Sequence, residues 1–256
     1  MIWLKKVGIS ILVSNISEFI NGITDLIFPP KSVCIFCKKP LLILEEHEVC
    51  KDCISKLMYL HAPLCDICGR PLADLNNVCL ECKEEKVYFE KAVSVFYFAG
   101  LIQSIIHRLK YDGDIKVAHP IGIFMSYEIK RMGWHRDLDI IIPVPLHAER
   151  LHQRGFNQSF LLSEIMGREC RLDVRDNILK RIRYTESQIN FSKFERIMNV
   201  KDAFYIENNK PIINKKILIV DDIMTTGATL NECSRILKQA GAKEVYCITA
   251  ACPYHI

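Results

Sequence analysis

The sequence lacks the marks of a membrane-spanning or secreted protein. Its N-terminal apolar stretch carries Glu18 and Asp25, which a transmembrane span would not normally contain, and no clear small-residue cleavage site follows it. The excess of positive over negative charge is also small, since the formal net charge is only +4 over 256 residues. Such a small positive excess is compatible with an anionic ligand or with nucleic acid, but it establishes neither.

The N-terminal stretch nevertheless has a helical pattern. Its apolar residues recur at helical spacing, and Pro29 and Pro30 end the pattern. We predict an amphipathic helix over residues 1–30 that packs against its own domain. Two alternatives remain open: a helix that lies on the membrane surface, giving peripheral membrane contact, and a helix that docks on a partner.

The segment from Lys216 to Leu230 carries the strongest functional pattern. Residues 217–220 are an aliphatic run typical of a strand buried on both faces, and Asp221 and Asp222 follow where such a strand leaves the sheet. A turn of small residues then leads into a helix: Thr225, Thr226, Gly227, Ala228 and Thr229. Such a turn cradles a phosphate, whereas the carboxylates suit ribose hydroxyls, directly or through Mg2+. The segment resembles the phosphoribosyl diphosphate (PRPP) motif of type I phosphoribosyltransferases.

Other polar residues are expected at the same edge of the sheet. Residues 138–144 predict a second buried strand, and ligands of parallel α/β sheets bind at the carboxyl ends of strands. The loop that follows carries Arg150 and Arg154, whose forked guanidinium groups fit diphosphate oxygens. Asn157 can cap the next helix and donate to the ligand. Lys110 ends an earlier helix, where it either complements the helix dipole or reaches a diphosphate.

The polar, basic stretch that starts at Leu179 has two interpretations. One is a mobile lid that closes over the site and contacts ligand anions. The other is a segment that binds single-stranded nucleic acid, because its arginines are interleaved with Tyr184 and Phe191. The candidate contacts of the lid are Arg181, Arg183, Thr185, Gln188, Arg196 and Asn199, of which Arg183 and Arg196 are the first to test.

Eight of the twelve cysteines are confined to four CxxC pairs. The pairs are Cys34 and Cys37, Cys50 and Cys53, Cys65 and Cys68, and Cys79 and Cys82. Two pairs complete a tetrahedral thiolate site, so the four pairs predict two structural Zn2+ ions. We prefer sequential pairing, a double zinc ribbon, because each closed loop is then short; interleaved pairing is the alternative. A secreted disulfide scaffold would not confine its cysteines in this way, which favours a cytoplasmic protein.

The predicted organisation is an N-terminal helix (1–30), a double zinc ribbon (31–85) and an α/β domain (90–256) with a parallel sheet and helices on both faces. The ribbon is too small to hold a core without its metals, so a structural role is expected. Contact with nucleic acid is the alternative, and it rests on a weak basic patch: Lys38, Lys39, Lys51, Lys56 and Arg70. The chain ends soon after its last predicted strand, so we expect any acceptor pocket to come from residues before 200.

The order of motifs along the chain resembles one protein family. Four cysteine pairs are followed by LKYDGD, PVPL with RGFNQ, an R-x-R-x-T-x-x-Q segment and VDDIMTTGAT. Together they look like the ComF family of bacterial competence proteins. The resemblance implies a type I phosphoribosyltransferase-like fold and a role in handling single-stranded DNA during natural transformation, alongside competence machinery proteins. The glutaminase activity of amidophosphoribosyltransferases is not expected, because the sequence begins Met1-Ile2 without the catalytic cysteine.

Two hypotheses of function follow. In the first, the protein is a phosphoribosyltransferase that acts on PRPP and an acceptor. Asp221 and Asp222 would then hold the ribose and stabilise an oxocarbenium-like sugar, Thr225–Thr229 would bind the 5′-phosphate, and Arg150, Arg154 and Mg2+ would hold the leaving diphosphate. In the second, which we favour as the biological role, the protein serves DNA uptake. The PRPP pocket is then a ligand sensor or a site for the terminal phosphate of DNA.

Overall fold

The computed structural model describes residues 33–41, 48–73, 76–183 and 193–253 of the chain. The chain divides into two compact units, residues 1–50 and residues 51–256. The helix predicted for residues 1–30 and the middle of the predicted lid, residues 184–192, fall outside the described residues. In the first unit, the residues after Cys34 form a tight turn, in which the N–H of Cys34 donates to the carbonyl of Lys39 at 2.8 Å.

A five-stranded parallel sheet forms the centre of the second unit. Numbered along the chain, its strands lie in the order β1 (Lys91–Tyr97), β7 (Glu244–Cys252), β6 (Lys216–Ile223), β2 (Ile140–Pro143) and β3 (Asp173–Val174). Two short strands, β4 (Leu179–Arg181) and β5 (Phe204–Ile206), form a separate antiparallel pair. The prediction of an α/β domain with a parallel sheet is confirmed.

The described residues also form α-helices. They are α1 (Lys51–Ile54), α2 (Leu80–Glu84), α3 (Gly100–Tyr111), α4 (Ala118–Arg131), α5 (Ala148–Arg154), α6 (Gln158–Cys170), α7 (Lys193–Val200) and α8 (Ala228–Gln239). Of these, α4, α6 and α8 pack against this sheet. The buried residues of α3 recur at helical spacing: Ile102, Ile105, Ile106 and Leu109. Within the described part of the chain, no helix is both long and apolar enough to cross a membrane.

Strand β6 lies between β7 and β2, which explains its aliphatic run. A strand with a neighbour on each edge and helices packed against the sheet needs apolar side chains on both faces, and residues 217–220 are fully buried. The strand also continues past the point where the sequence ended it. Asp221 pairs in register with Thr249 and Ile223 with Ala251, because the long strand β7 extends the ladder. The two aspartates therefore sit on the strand itself.

The turn at residues 65–70, which contains Cys65 and Cys68 and which we call the second cysteine knuckle, packs against the edge of the sheet. The N–H of Ala92 in β1 donates to the carbonyl of Ile67 at 2.7 Å. Gly69 has a φ of +66°, and a Cβ at this position would lie 2.5 Å from the carbonyl oxygen of Ala92, so no other residue fits there. The buried thiols of Cys65, Cys68 and Cys79 belong to a hydrophobic cluster of the domain. The division of the chain at Cys50 thus falls inside the module predicted for residues 31–85.

Candidate functional site

A cavity of about 1150 Å³ opens where the strands β1, β2, β6 and β7 end. Asp221 and Asp222 line it from β6, and all five residues of the loop at 225–229 line it from the next segment. The predicted cations Lys110, Arg150 and Arg154 line the same cavity. The structure therefore brings together most of the residues that the sequence assigned to a PRPP site.

The two aspartates lie in different environments. Oδ1 of Asp221 accepts hydrogen bonds from the hydroxyl of Ser159 at 2.8 Å and from the N–H of Asp222 at 2.9 Å. Burial, and then the charge of Asp222, raise the pKa of Asp221 to about 7. Oδ2 of Asp222 lies 2.8 Å from Nζ of Lys110, and the two side chains form an ion pair. At neutral pH the pair thus carries less than two negative charges, and Lys110 balances one of them.

The loop after β6 has the shape of an anion cradle. Gly227 adopts a φ of +81°, a left-handed conformation that favours glycine, and it stands directly before the first residue of α8. The hydroxyl of Thr226 accepts a hydrogen bond from the N–H of Ala228 at 3.3 Å. The loop therefore lies at the positive end of a twelve-residue helix, where backbone N–H groups and the helix dipole favour a bound phosphate.

Cations outnumber carboxylates around the two aspartates. Arg150 and Arg154 come from α5, Lys110 from the end of α3, and Arg181 from the end of β4. Burial lowers the pKa of Arg154, and the charge of Asp222 opposes that effect. An anionic ligand would relieve the repulsion among these side chains, so the electrostatics of the cavity favour phosphates.

Arg70 is a cavity residue to which the sequence analysis gave a different role. Its side chain is not part of a surface patch: it is buried, with Nη1 3.0 Å from Glu81 and Nη2 3.1 Å from the carbonyl oxygen of Thr225. It therefore ties the second cysteine knuckle to the phosphate loop. Its position directly after Cys68-Gly69 was visible in the sequence, but its partner Thr225 lies 155 residues away.

Ser159 was also missed, and it works together with Asn157. Oδ1 of Asn157 accepts from the N–H of Ser159 at 3.0 Å, which confirms the predicted helix cap of α6. The amide of Asn157 donates to the carbonyl of Val144 at 3.0 Å, and Asn157 is not among the residues that line the cavity. The cap thereby places the hydroxyl of Ser159 against Asp221. A serine two residues after an N-cap was the available sequence clue.

Of the predicted lid contacts, Arg181 lines the cavity, whereas Arg183 does not. The guanidinium of Arg183 donates to three main-chain carbonyls at the end of α7, those of Met198, Asn199 and Lys201, at 3.1, 3.0 and 2.6 Å. It is not among the described residues that line the cavity. The side chain of Arg196 falls outside the described residues. A ligand contact by either arginine stays a prediction.

The eight paired cysteines form two groups of four. One group is Cys34, Cys37, Cys50 and Cys53, and the other is Cys65, Cys68, Cys79 and Cys82; within each group all sulfur atoms lie within 4.8 Å of one another. The grouping is sequential, as the sequence analysis preferred. Sulfur separations of 3.6 and 3.7 Å match the roughly 3.8 Å expected for a tetrahedral zinc with bonds of about 2.3 Å.

The second group also has the electrostatics of a metal site. A hydrogen bond with Cys82, together with the backbone and charge of Arg70, lowers the pKa of Cys68 to about 5 despite its burial. Burial and the charge of Cys68 raise the pKa of Cys79 to about 12, because a second thiolate would be repelled. A divalent cation removes that repulsion, so the two donor sets are consistent with two structural zinc ions.

Two family models match the chain in separate segments. The double zinc ribbon domain matches residues 23–83, and the phosphoribosyl transferase domain matches residues 159–254. Their order agrees with the structure, in which the cysteine groups precede the strands that carry the carboxylates and the phosphate loop.

The chain also resembles curated bacterial proteins over most of its length. Competence protein F of Haemophilus influenzae is 29% identical over 83% of this chain and 93% of its own length. The DNA utilization protein YhgH of Escherichia coli O6:H1 is 31% identical over 84% of this chain and 96% of its own length. Competence protein ComFC of Bacillus subtilis is 26% identical over 82% of this chain and 90% of its own length.

Among solved structures, the allosteric regulatory enzyme of purine biosynthesis is 19% identical to the chain. The superposition has a TM-score of 0.36 and covers 52% of this chain and 26% of that chain.

Proposed function

The chain belongs to the ComF family of competence and DNA-utilization proteins, and on that premise we propose that it binds PRPP with Mg2+ and handles single-stranded DNA during DNA uptake. The observation that supports PRPP as the ligand is a cavity lined by a phosphate loop, two carboxylates and several cations. A phosphorylated sugar diphosphate has groups complementary to all three.

Each group of the cavity has a role in this proposal. The loop at 225–229 takes the 5′-phosphate at the N-terminus of α8. Asp221 and Asp222 hold the ribose hydroxyls, with Ser159 fixing the orientation of Asp221. Lys110, Arg150 and Arg154 hold the diphosphate. Bound Mg2+ would supply further positive charge to the diphosphate, with the two aspartates as its nearest carboxylates.

The DNA-handling part rests on the names of the relatives and on one feature of the cavity. Tyr111 is 57% exposed, and its ring lies 4.7 Å from the ring of His107, with the guanidinium carbon of Arg154 5.7 Å from its centre. An exposed aromatic ring next to cations is a typical platform for single-stranded nucleic acid, because bases stack on the ring while the phosphates meet the charges. The cytoplasm is the compartment that fits this role.

A second candidate is a catalytic phosphoribosyltransferase. The carboxylate pair and the large cavity favour it, since an enzyme of this kind needs space for an acceptor beside the ribose. Release of diphosphate from PRPP in the presence of an acceptor distinguishes this candidate from a ligand sensor.

The ligand is tested by calorimetric titration of the zinc-loaded protein with PRPP and Mg2+. We expect binding by the natural protein and a loss of affinity of tenfold or more in Asp222→Asn, because hydrogen bonds to charged groups are worth about 1.5–3 kcal/mol. Thr226→Ala should bind several-fold more weakly, since it removes one hydroxyl from the phosphate loop.

The matched control for the carboxylate is Asp173→Asn. Asp173 is an exposed aspartate that pairs with Arg175 outside the cavity, so its replacement should leave the PRPP affinity unchanged. If the natural protein does not bind PRPP, or if Asp222→Asn binds as tightly as Asp173→Asn, the proposed ligand is wrong.

A further inference from the structure

One buried side chain joins the second group of cysteines to the phosphate loop at residues 225–229. We call this group the second zinc group; its members are Cys65, Cys68, Cys79 and Cys82. The joining residue is Arg70, whose Nη2 donates to the carbonyl of Thr225 at 3.1 Å. A shift of this guanidinium would therefore remove a hydrogen bond from the loop.

Both CxxC pairs of the second zinc group hold Arg70 in place. The carbonyl of Arg70 accepts from the N–H of Cys65 at 2.8 Å, so the main chain of Arg70 belongs to the turn of the first of these pairs. Nη1 of Arg70 donates to Oε1 of Glu81 at 3.0 Å, and Glu81 lies between the two cysteines of the other pair. The direction of the guanidinium therefore depends on how the two pairs are held together.

The two pairs differ in their attachment to the rest of the domain. The second cysteine knuckle is fixed to β1 by its main chain, because the N–H of Ala92 donates to the carbonyl of Ile67 at 2.7 Å. The other pair lies at α2, a helix of five residues, which is too short to be stable in water by itself. The sulfur atoms of Cys68 and Cys79 are 3.7 Å apart, a separation that suits a shared ion. The ion would thus hold α2 against the knuckle.

The bond from Arg70 also affects a donor of the phosphate loop. The carbonyl of Thr225 and the N–H of Thr226 belong to one planar peptide unit, so the hydrogen bond that fixes the carbonyl also fixes the direction of that N–H. Backbone N–H groups are the donors with which such a loop binds an anion. A loop whose donors are already oriented loses less conformational freedom on binding and therefore binds more tightly.

The first group of four cysteines provides an internal comparison. It takes Cys34, Cys37 and Cys50 from the first compact unit and Cys53 from the second. All members of the second zinc group belong to the unit that contains the phosphate loop. An effect on the loop is therefore expected from the second ion and not from the first.

We propose that zinc at the second zinc group and an anion at the phosphate loop bind with positive coupling, so that each raises the affinity of the protein for the other. The connection runs through Glu81, Arg70 and the carbonyl of Thr225. The second zinc group then regulates ligand binding in addition to stabilising the fold. This inference rests on the proposed function for the identity of the anion, which is PRPP.

The test compares two double variants of the full-length protein, Cys79→Ser/Cys82→Ser and Cys34→Ser/Cys37→Ser. They are matched, because each removes one buried and one half-buried thiol from one group. We expect each variant to retain zinc only in its intact group. Loss of the second ion should speed amide hydrogen exchange at residues 225–229 without ligand and weaken PRPP binding about fivefold or more, which is the usual range of such coupling. Loss of the first ion should change neither.

The natural protein gives the reverse measurement. Saturating PRPP should raise the affinity for one of its two zinc ions, measured by competition with a chelator, by the same factor by which that ion raises the affinity for PRPP. Arg70→Met keeps all the zinc ligands but lacks the guanidinium, so PRPP should leave both of its zinc affinities unchanged. This variant tests the connection even if the serine variants do not fold.

The coupling and the proposed ligand can fail separately. Equal exchange of the loop in the two double variants, or zinc affinities that PRPP does not change in a natural protein that binds it, overturns the coupling and leaves PRPP binding standing. If the natural protein does not bind PRPP, the proposed ligand is wrong. Hydrogen exchange then decides the coupling alone: faster exchange confined to Cys79→Ser/Cys82→Ser supports it, and equal exchange overturns it.

Discussion

At the scale of single residues, Asp221 is the most unusual group in the site. It is buried, it receives two hydrogen bonds on the same oxygen, and it adjoins a second carboxylate. Its pKa of about 7 is far above the ordinary aspartate value of 3.8. The proton on Asp221 is therefore linked to folding over a range of pH in which most aspartates are fully ionised.

We predict that Asp221 makes the protein less stable as the pH rises from about 4 to 7. In this range the unfolded chain has lost the proton of Asp221 and the folded chain retains it, so unfolding releases a proton. The contribution of Asp221 to the free energy of unfolding should fall by up to about 1.4 kcal/mol per pH unit. Urea unfolding of the natural protein and of Asp221→Asn across this range measures the difference.

Asp139 supplies a control of opposite sign. The N–H of Lys216 lowers the pKa of Asp139, so its contribution is present above the ordinary aspartate pKa and is lost only as the pH falls through its lower folded value. Asp139→Asn should therefore show no change relative to the natural protein between pH values of about 5 and 7. The prediction is wrong if the stability of the natural protein relative to Asp221→Asn stays constant or increases as the pH rises.

Arginines show what the sequence can and cannot predict about single residues. Residue type and position relative to the strands were enough to place Arg150 and Arg154 in the cavity. They were not enough for Arg70, which was assigned to a weak basic patch, because its partners come from distant parts of the chain. Charge is visible in a sequence, but the partner of a charge is decided by packing.

At the scale of elements, Arg70 connects the second cysteine knuckle to the phosphate loop, and this connection has a measurable consequence. We predict that Arg70→Ala binds PRPP several-fold more weakly than the natural protein and unfolds with a free energy lower by about 1–3 kcal/mol. The reason is that the carbonyl of Thr225 loses its donor and Glu81 loses its cation. Calorimetry and urea unfolding give the two values, and zinc analysis shows whether the metals remain.

Arg131→Ala is the matched control for this prediction. Arg131 also pairs with a glutamate, Glu128, but it lies on the surface of α4 away from the cavity. Surface pairs of this kind contribute at most about 1 kcal/mol, so PRPP binding should be unchanged and stability nearly so. Equal behaviour of the two variants, with zinc retained, would mean that Arg70 does not position the loop.

Elements with a strong hydrophobic pattern were predicted, and short polar elements were not. The sequence indicated β2 and β6, because each contains a run of buried aliphatic residues. It gave no indication of β3, β4 or β5. These strands are two or three residues long, and each exposes a side chain, so they carry no period that can be recognised. They form because neighbouring segments provide hydrogen-bond partners.

At the scale of the whole molecule, the cysteine spacing predicted the ligand groups but not their surroundings. CxxC pairs fix which thiols can share an ion, and the grouping follows from the short loops between them. Nothing in that spacing shows that the second knuckle bonds to β1 or lines the cavity. That packing, which places Arg70 in the cavity, could be inferred only from the structure.

The modest charge of the whole molecule makes its proposed binding to single-stranded DNA strongly dependent on local cations. A net charge of +4 gives little long-range attraction, so binding should depend on the arginines of the cavity and on stacking. We predict that a fluorescent oligothymidylate binds measurably at low salt. The logarithm of its affinity should fall linearly with the logarithm of salt, by about 0.7 for each phosphate contacted.

Stacking separates a specific platform from general attraction to a basic protein. Tyr111→Ala should lower the affinity for the oligonucleotide about tenfold, since stacking of one base is worth about 1–3 kcal/mol. Tyr205→Ala is the control, because Tyr205 is 49% exposed but lies on β5 outside the cavity. Both variants keep the net charge, so the salt dependence of the affinity should be the same in both. If only Tyr111→Ala then loses affinity, the single-stranded DNA binds at the cavity. Equal losses would indicate binding elsewhere, and no binding at low salt would remove DNA from the proposed function.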